Sequence, residues 1–185
     1  MFDPFKKNES GDGAAHSRPD FIEVGQIVNT HGVRGEMKLL PLGFDAGFIT
    51  GFKTLYIDSI AVKPTSMRVH KDCVLLTLPD VEDMDSANAY RGKFVSIRRT
   101  DAHLPKGEYF DAELVGMEVY NFFPRRYVGT LTEVLTYPAH KLYRVRGKEH
   151  TYLIPAVQDV FVVDILPDEG QIFVHMMEGL ESDEN

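Results

Sequence analysis

The fold of the first half of the chain is decided by the stretch Val24-Gly25-Gln26-Ile27-Val28-Asn29-Thr30-His31-Gly32-Val33-Arg34-Gly35-Glu36-Met37-Lys38. Its apolar and β-branched residues predict a strand that breaks at His31 and resumes at Glu36. Gly32 and Gly35 flank the break and allow backbone angles that other residues resist. Two interpretations stay open: a hairpin loop that needs glycine twice, or a contact loop that presents the hydrogen-bond donors of His31 and Arg34 to a partner.

The length and the cysteine content limit the class of protein. The 185 residues allow one large or two small domains. A single cysteine, Cys73, excludes an internal disulfide and a cysteine-based metal site, and its apolar neighbours predict a buried side chain. No apolar run approaches the roughly 18 residues of a membrane helix, and the polar residues 1–20 lack the apolar core of a signal peptide. We therefore expect a cytoplasmic protein without membrane contact.

The charge is concentrated in the last part of the chain. Residues 101–185 hold seven basic and fifteen acidic residues, which accounts for the whole net charge of −8. An acidic domain is a poor partner for a phosphate backbone and a suitable partner for a basic protein. The alternative is that the acidity only aids solubility.

Short runs of alternating or β-branched residues, separated by turn signals, favour a barrel or sandwich over a parallel α/β sheet. The predicted strands are 21–29, 36–41, 53–58, 66–70, 73–78, 94–98, 114–120, 128–135, 142–146, 151–154, 160–165 and 171–175. Lys71-Asp72 is predicted to be a two-residue hairpin turn. One helix is predicted over 81–91, because acids suit a helix N-terminus and Arg91-Gly92 is a usual stop signal.

The predicted fold class is mainly β, with two small barrels in tandem. Residues 1–20 lack a hydrophobic period and are predicted to be a disordered tail. The first barrel spans 21–100, and a linker over 101–107 is predicted where the apolar period is lost. The second barrel spans 108–180, and 181–185 form an acidic tail. Each half of about 80 residues holds one small core.

No motif in the sequence points to catalysis. The chain has neither a Walker or dinucleotide phosphate loop nor a paired-histidine metalloprotease motif. The acids between Asp80 and Asp85 could bind a metal or move protons, but a solvated helix start explains them more simply. His140, His150 and His175 lack ligand spacing. We therefore predict no catalytic residue, no metal and no cofactor.

Two segments combine aromatic with charged residues. Tyr109 and Phe110 lie at the domain boundary between two acids. They are either anchors of a protein interface or side chains that pack the linker onto the second barrel. Phe122-Phe123-Pro124-Arg125-Arg126 is a second patch, aromatic and basic, in a loop before Tyr127.

A set of short motifs follows in order along the chain. Val24–Ile27 and His31–Glu36 come first, and the further motifs, in chain order, are Ala89–Gly92, Gly107–Phe110, Leu114–Gly116, Ile154–Val157, Val163-Asp164 and Glu178–Leu180. This ordered set resembles the RimM family of bacterial small-subunit ribosome maturation factors, and the resemblance covers roughly residues 21–180.

The resemblance implies a translation-factor-like six-stranded barrel followed by a PRC-type barrel. It also implies a non-enzymatic factor that binds the head of the immature 30S subunit through ribosomal protein S19 and assists 16S rRNA processing. On this basis the partner-binding residues are His31, Arg34, Tyr109 and Phe110, and the loop-shaping residues are Gly32, Gly35 and Pro155. We expect a monomer. The alternatives are an RNA-modifying or processing enzyme and a module that binds rRNA directly.

The sequence departs from the family pattern at two places. Phe110 stands where the family usually has a second tyrosine, so the ring is kept and a hydroxyl is lost. The family's glycine-containing turn in the second barrel is replaced by residues 137–141, which changes the expected shape of that loop.

Overall fold

The computed structural model describes residues 18–105, 107–177 and 179–182. Within them the chain is mainly β and separates into two compact units, the first spanning Pro19–Leu104 and the second beginning at Pro105. The division lies inside the stretch in which the sequence places a linker. The predicted disordered tail falls outside the described residues except for 18–20, and so does the predicted acidic tail except for 181–182. None of the described helices has the length and hydropathy needed to cross a bilayer.

The first unit is an antiparallel sheet of seven described strands with short helices in its connections. Its elements are β1 (Phe21–His31), β2 (Glu36–Pro41), α1 (Ala46–Thr50), β3 (Leu55–Ile57), β4 (Ile60–Val62), β5 (Ser66–His70), β6 (Cys73–Thr77), α2 (Met84–Asn88), β7 (Phe94–Arg98) and a 3₁₀ turn (Arg99–Asp101). The strand order is β4-β3-β7-β1-β2-β6-β5. Strand β1 is therefore central, and it pairs with β2 on one side and β7 on the other.

Most predicted strands of the first unit are confirmed, and the side chains alternate as expected. Ile22 and Val24 in β1, and Met37 and Leu39 in β2, are buried while residues between them are exposed. The Lys71-Asp72 turn is confirmed between β5 and β6, with Lys71 at a φ of +54°. Cys73 is buried, as predicted, and its thiol donates to the carbonyl of His70 at 3.0 Å.

The sheet has one strand more than the six that the resemblance implies. Strand β4 forms a hairpin with β3, in which Ile57 pairs with Ile60. The turn residues Asp58 and Ser59 both have positive φ, at 51° and 65°. Such turns usually carry Asn or Gly. Asp58-Ser59 is therefore a weak turn signal, and the predicted strand ends at residue 58.

The predicted helix over 81–91 is shorter than expected. Helix α2 covers Met84–Asn88, and the carboxylate of Asp83 caps it by accepting from the Ser86 N–H at 2.8 Å. Beyond the helix the backbone forms three-residue turns, including Tyr90 N–H to Ala87 C=O at 3.1 Å. Ala87 is buried, whereas Met84 is 50% exposed.

The described residues of the second unit also form a seven-stranded sheet. Its elements are α3 (Asp111–Leu114), β8 (Glu118–Asn121), β9 (Arg126–Thr136), β10 (Lys141–Arg146), β11 (Thr151–Pro155), β12 (Val162–Leu166), β13 (Gln171–Val174) and β14 (Glu181–Ser182). The strand order is β12-β13-β8-β9-β10-β11-β14. All neighbours are antiparallel except β13 and β8, which run parallel with Gln171 opposite Glu118.

One apolar cluster fills this second unit. It includes Met117 and Val119 from β8 and the turn before it, Val145 from β10 and Ile172 from β13. The prediction of a strand over 114–120 was partly wrong, because 111–114 form a short helix and the strand begins at Glu118. The alternating pattern that motivated the prediction is real, but it starts in a turn that buries Leu114 and Met117.

A core tyrosine makes the second unit sensitive to alkaline pH. Tyr143 is 6% exposed within the apolar cluster. Burial, followed by the negative charge of Asp111, raises the pKa of the Tyr143 phenol from 10.0 to about 12. The ionised phenol is therefore accommodated much better by the unfolded chain than by the fold.

We expect the free energy of unfolding to fall between pH 10.0 and about 12, since unfolded Tyr143 ionises across this range while the folded side chain stays protonated. In Tyr143→Phe this fall should be smaller by about 2 kcal/mol. Urea unfolding at several alkaline pH values measures it. The control is Tyr137→Phe, which removes a phenol from an exposed ring. If the unfolding free energy fell equally steeply with pH in both variants, the prediction would be wrong.

Candidate partner-binding site

The loop between β1 and β2 is a tight turn that is closed by the pairing of His31 with Glu36. Gly32 and Gly35 have φ values of +68° and +73°, which confirms that the loop uses glycine twice. Gly35 is also buried against the backbone of Val81, whose carbonyl oxygen would overlap a Cβ at this position. The loop is therefore docked onto the segment that precedes α2.

Within this loop, His31 and Arg34 have different surroundings. The Nε2 atom of His31 lies 3.8 Å from the Glu36 carboxylate, and its ring centroid is 5.7 Å from that of His70. Arg68 holds the same carboxylate with two hydrogen bonds of 3.1 and 3.2 Å. Arg34, in contrast, is exposed and makes no hydrogen bond or ion pair with any described residue. His31 thus belongs to a surface polar cluster, whereas Arg34 is available to a partner.

Replacing Gly35 by alanine should lower the free energy of unfolding by about 1–3 kcal/mol more than replacing Gly32, because only Gly35 would force a side chain into another backbone segment. Both variants should also lose about 1–2 kcal/mol of unfolding free energy, because alanine must adopt the positive φ of the glycine that it replaces. The matched change at Gly32, where nothing lies within 4 Å of the added Cβ, isolates the steric part. Equal losses in urea unfolding would show that the docking on Val81 does not constrain the loop.

The aromatic pair at the start of the second unit is split by burial. Phe110 is 2% exposed, whereas Tyr109 is half-buried and packs against the apolar cluster of the second unit. The Tyr109 hydroxyl donates to the carbonyl of Ile165 at 3.4 Å. Burial, followed by the charge of Asp164, raises the pKa of Tyr109. An exposed contact role is therefore incompatible with this position of Phe110, and packing, the alternative left open by the sequence, describes it better.

Phe110 also begins helix α3. Its backbone N–H donates to the Glu113 carboxylate at 3.1 Å, and its carbonyl accepts from the Glu113 N–H at 2.9 Å. The helix is tied to the sheet by Lys141, whose ammonium lies 2.7 and 2.9 Å from the two carboxylate oxygens of Asp111. The segment after the linker is thus fixed by its backbone as well as by its rings.

Phe110→Ala is expected to cost about 3–5 kcal/mol of unfolding free energy, the usual loss for a buried ring. Tyr109→Phe, which removes only a long hydrogen bond, should cost about 1 kcal/mol or less. Thermal melting of both variants, with the intact chain as reference, measures the difference. A Phe110→Ala protein that melts like the intact chain would show that the ring does not stabilise the fold, and would favour its predicted role as a contact residue.

Pro155 is the last residue of β11, as the sequence predicted for a residue that cannot donate to a sheet. It lies opposite Leu142 in β10, and the next residue, Ala156, donates to the carbonyl of Lys141 at 2.9 Å. Pro155 therefore ends the strand.

The acids between Asp80 and Asp85 are exposed, and no cluster of three potential metal ligands occurs among the described residues.

The loop before β9 presents an exposed aromatic side chain. Phe123 is 79% exposed, and Arg126 and Tyr127 beside it are also exposed. In the sequence this loop is recognisable as a run of aromatic and basic residues. Its anchoring by distant residues of β13 was not visible, because those residues are separated from the loop by the four strands β9 to β12.

Comparisons with known proteins identify the family. Residues 22–102 match the family model of the RimM N-terminal domain. The ribosome maturation factor RimM of Clostridium botulinum is 34% identical over 142 residues, covering 76% of this chain and 85% of the relative. That of Clostridium perfringens is 35% identical over 156 residues, covering 84% and 93%. The chain belongs to the RimM family of ribosome maturation factors.

Solved structures are similar as well, and one of them covers most of this chain. It is a putative 16S ribosomal RNA processing protein RimM from Pseudomonas aeruginosa, with a TM-score of 0.42 and 21% identity. The similarity covers 85% of this chain and 98% of the other.

Proposed function

We propose that this chain is a non-enzymatic maturation factor of the small ribosomal subunit, acting in the cytoplasm. It binds the head of the immature 30S particle through ribosomal protein S19 and assists 16S rRNA processing and assembly. Support for the general role comes from its relatives, which are named ribosome maturation factors. The particular partner is suggested by the family resemblance and by the charge of the chain.

The observation that carries the proposal is the charge asymmetry. The whole net charge of −8 belongs to residues 101–185. Several of these acids lie on the surface of the second unit, among them Glu108, Glu149, Asp159 and Glu169. Ribosomal proteins are generally basic, because they pack against RNA. An acidic surface attracts such a partner and repels the phosphate backbone around it.

The first unit contributes the contact loop between β1 and β2. Arg34 is exposed at the tip of a loop whose conformation is set by two glycines and by docking on Val81. A fixed loop loses little conformational freedom on binding, so its exposed groups contribute more of their contact energy. In this proposal Arg34 is the primary contact, and His31 is a secondary contact because Glu36 and His70 already adjoin it.

Arg34→Ala is expected to leave the melting temperature unchanged and to weaken association with immature 30S particles by about fivefold or more, as for an interface arginine. His31→Ala should also weaken association with immature 30S particles, but by a smaller factor. The measurement is co-sedimentation with immature particles from growing cells, together with titration of purified S19.

The matched control is Arg91→Ala, which removes an exposed arginine from a turn of the same unit. Unfolding of the first unit in both loop variants would show that the loop is structural. An unchanged affinity in Arg34→Ala would remove the loop from the interface. Absence of S19 binding by the intact chain at low salt, where charge attraction is strongest, would overturn the proposed partner.

A further inference from the structure

The loop between β8 and β9 carries the most exposed large hydrophobic side chain in the described part of the protein. Phe123 at its tip is 79% exposed. Arg126 begins β9 immediately after the loop, is exposed, and makes no hydrogen bond or ion pair with a described residue. Tyr127 follows with a half-exposed ring. Single exposed hydrophobic residues are ordinary on protein surfaces, so the case for a site depends on how the loop is built.

The loop is held in one conformation by buried groups. The side-chain amide of Asn121, itself buried, donates to the Pro124 carbonyl at 3.0 Å and accepts from the Met176 N–H at 3.0 Å. This one side chain therefore joins the loop to the segment after β13. Phe122 packs edge-on against the ring of Phe173, at 6.5 Å between centroids.

A second anchor is the guanidinium of Arg125. It lies 5.3 Å from the ring centroid of Tyr120 and 5.1 Å from that of Phe173, within cation–π range of both. It also donates to the side-chain oxygen of Gln171 at 3.3 Å. The base of the loop is thus fixed from two strands, so the exposure of Phe123 is a property of the fold. Because the loop backbone is already ordered, binding at its tip costs little further backbone entropy.

The chemistry of the exposed groups decides the kind of ligand. An exposed ring and, three residues along the chain, an exposed guanidinium with no partner among the described residues offer a stacking surface and a phosphate contact, the combination that binds unpaired nucleotides. Arg126 offers a basic protein no favourable charge contact. Acidic residues elsewhere on this unit act weakly here once they are further away than the Debye length, about 8 Å at physiological salt.

We propose that Phe123 and Arg126 form a binding site for an unpaired RNA nucleotide, with the base stacked on Phe123 and the phosphate beside Arg126. This site is separate from the proposed contact with S19 and does not depend on it. It gives an acidic protein one local point of attachment to single-stranded RNA.

The test is fluorescence anisotropy of the full-length protein with a labelled, short single-stranded oligouridine at low salt. Phe123→Ala should weaken binding by about fivefold or more, the usual effect of removing one stacking ring. Phe123→Trp should retain binding, because the stacking surface is kept. Arg126→Gln should reduce the slope of log affinity against log salt by about 0.7, the value for one phosphate contact on a single strand. Thermal melting should not change, since both side chains are exposed.

The matched control is Tyr137→Ala, since Tyr137 is also an exposed ring followed by proline in a hairpin of the same unit. It should bind RNA like the intact chain. An intact chain that does not bind the oligomer, or a Phe123→Ala variant that binds as well as Tyr137→Ala, would overturn the site. Loss of S19 binding in Phe123→Ala, with RNA binding unchanged, would do the same and make the loop a protein contact. If the intact chain bound RNA through Phe123 but not S19, the proposed function would fail and this site would remain.

Discussion

A buried strand must find hydrogen-bond partners for its backbone on both edges, and in the first unit this constraint falls on β1. Strand β1 pairs with β2 along one edge and with β7 along the other. The register shifts on both sides, between Ile27 and Asn29 and between Glu23 and Gly25, bend β1 between its two antiparallel partners. The remaining strands add outward from these pairs, so the position of the β1–β2 loop follows from the pairing of its two strands.

The local alternation of apolar and polar residues predicted the strands well where the strand and its turn do not depend on contacts distant in sequence. Strand β2, the β5–β6 hairpin and β7 depend on alternation and on a short turn, and they lie where the sequence placed them. The errors fall where a tertiary contact overrides the pattern. The alternating run before Glu118 was read as strand, but the backbone there is committed to α3 and to a turn that closes the core.

The candidate site was predictable to a smaller extent. Two glycines flanking Arg34 were sufficient to indicate a shaped loop, because positive φ angles have a sequence signature. The Arg68–Glu36 pair beside His31 had no such signature, since it joins strands that are distant in sequence. Burial of Phe110 was likewise undecidable from its acidic neighbours, because whether a ring next to a boundary packs inward depends on the rest of the fold.

The parallel pairing of β8 with β13 sets an order of events during synthesis. Strand β8 leaves the ribosome long before its neighbour, because Glu118 must wait for Gln171. At the usual elongation rates this interval is about 3–10 s, during which one edge of β8 has no native partner. In the first unit β1 waits in the same way for β7, since Gln26 pairs with Phe94, but all strands of that unit precede Arg99 and are made before β8. A nascent chain of this family therefore carries a finished first unit while its second unit still depends on residues that have not yet been made.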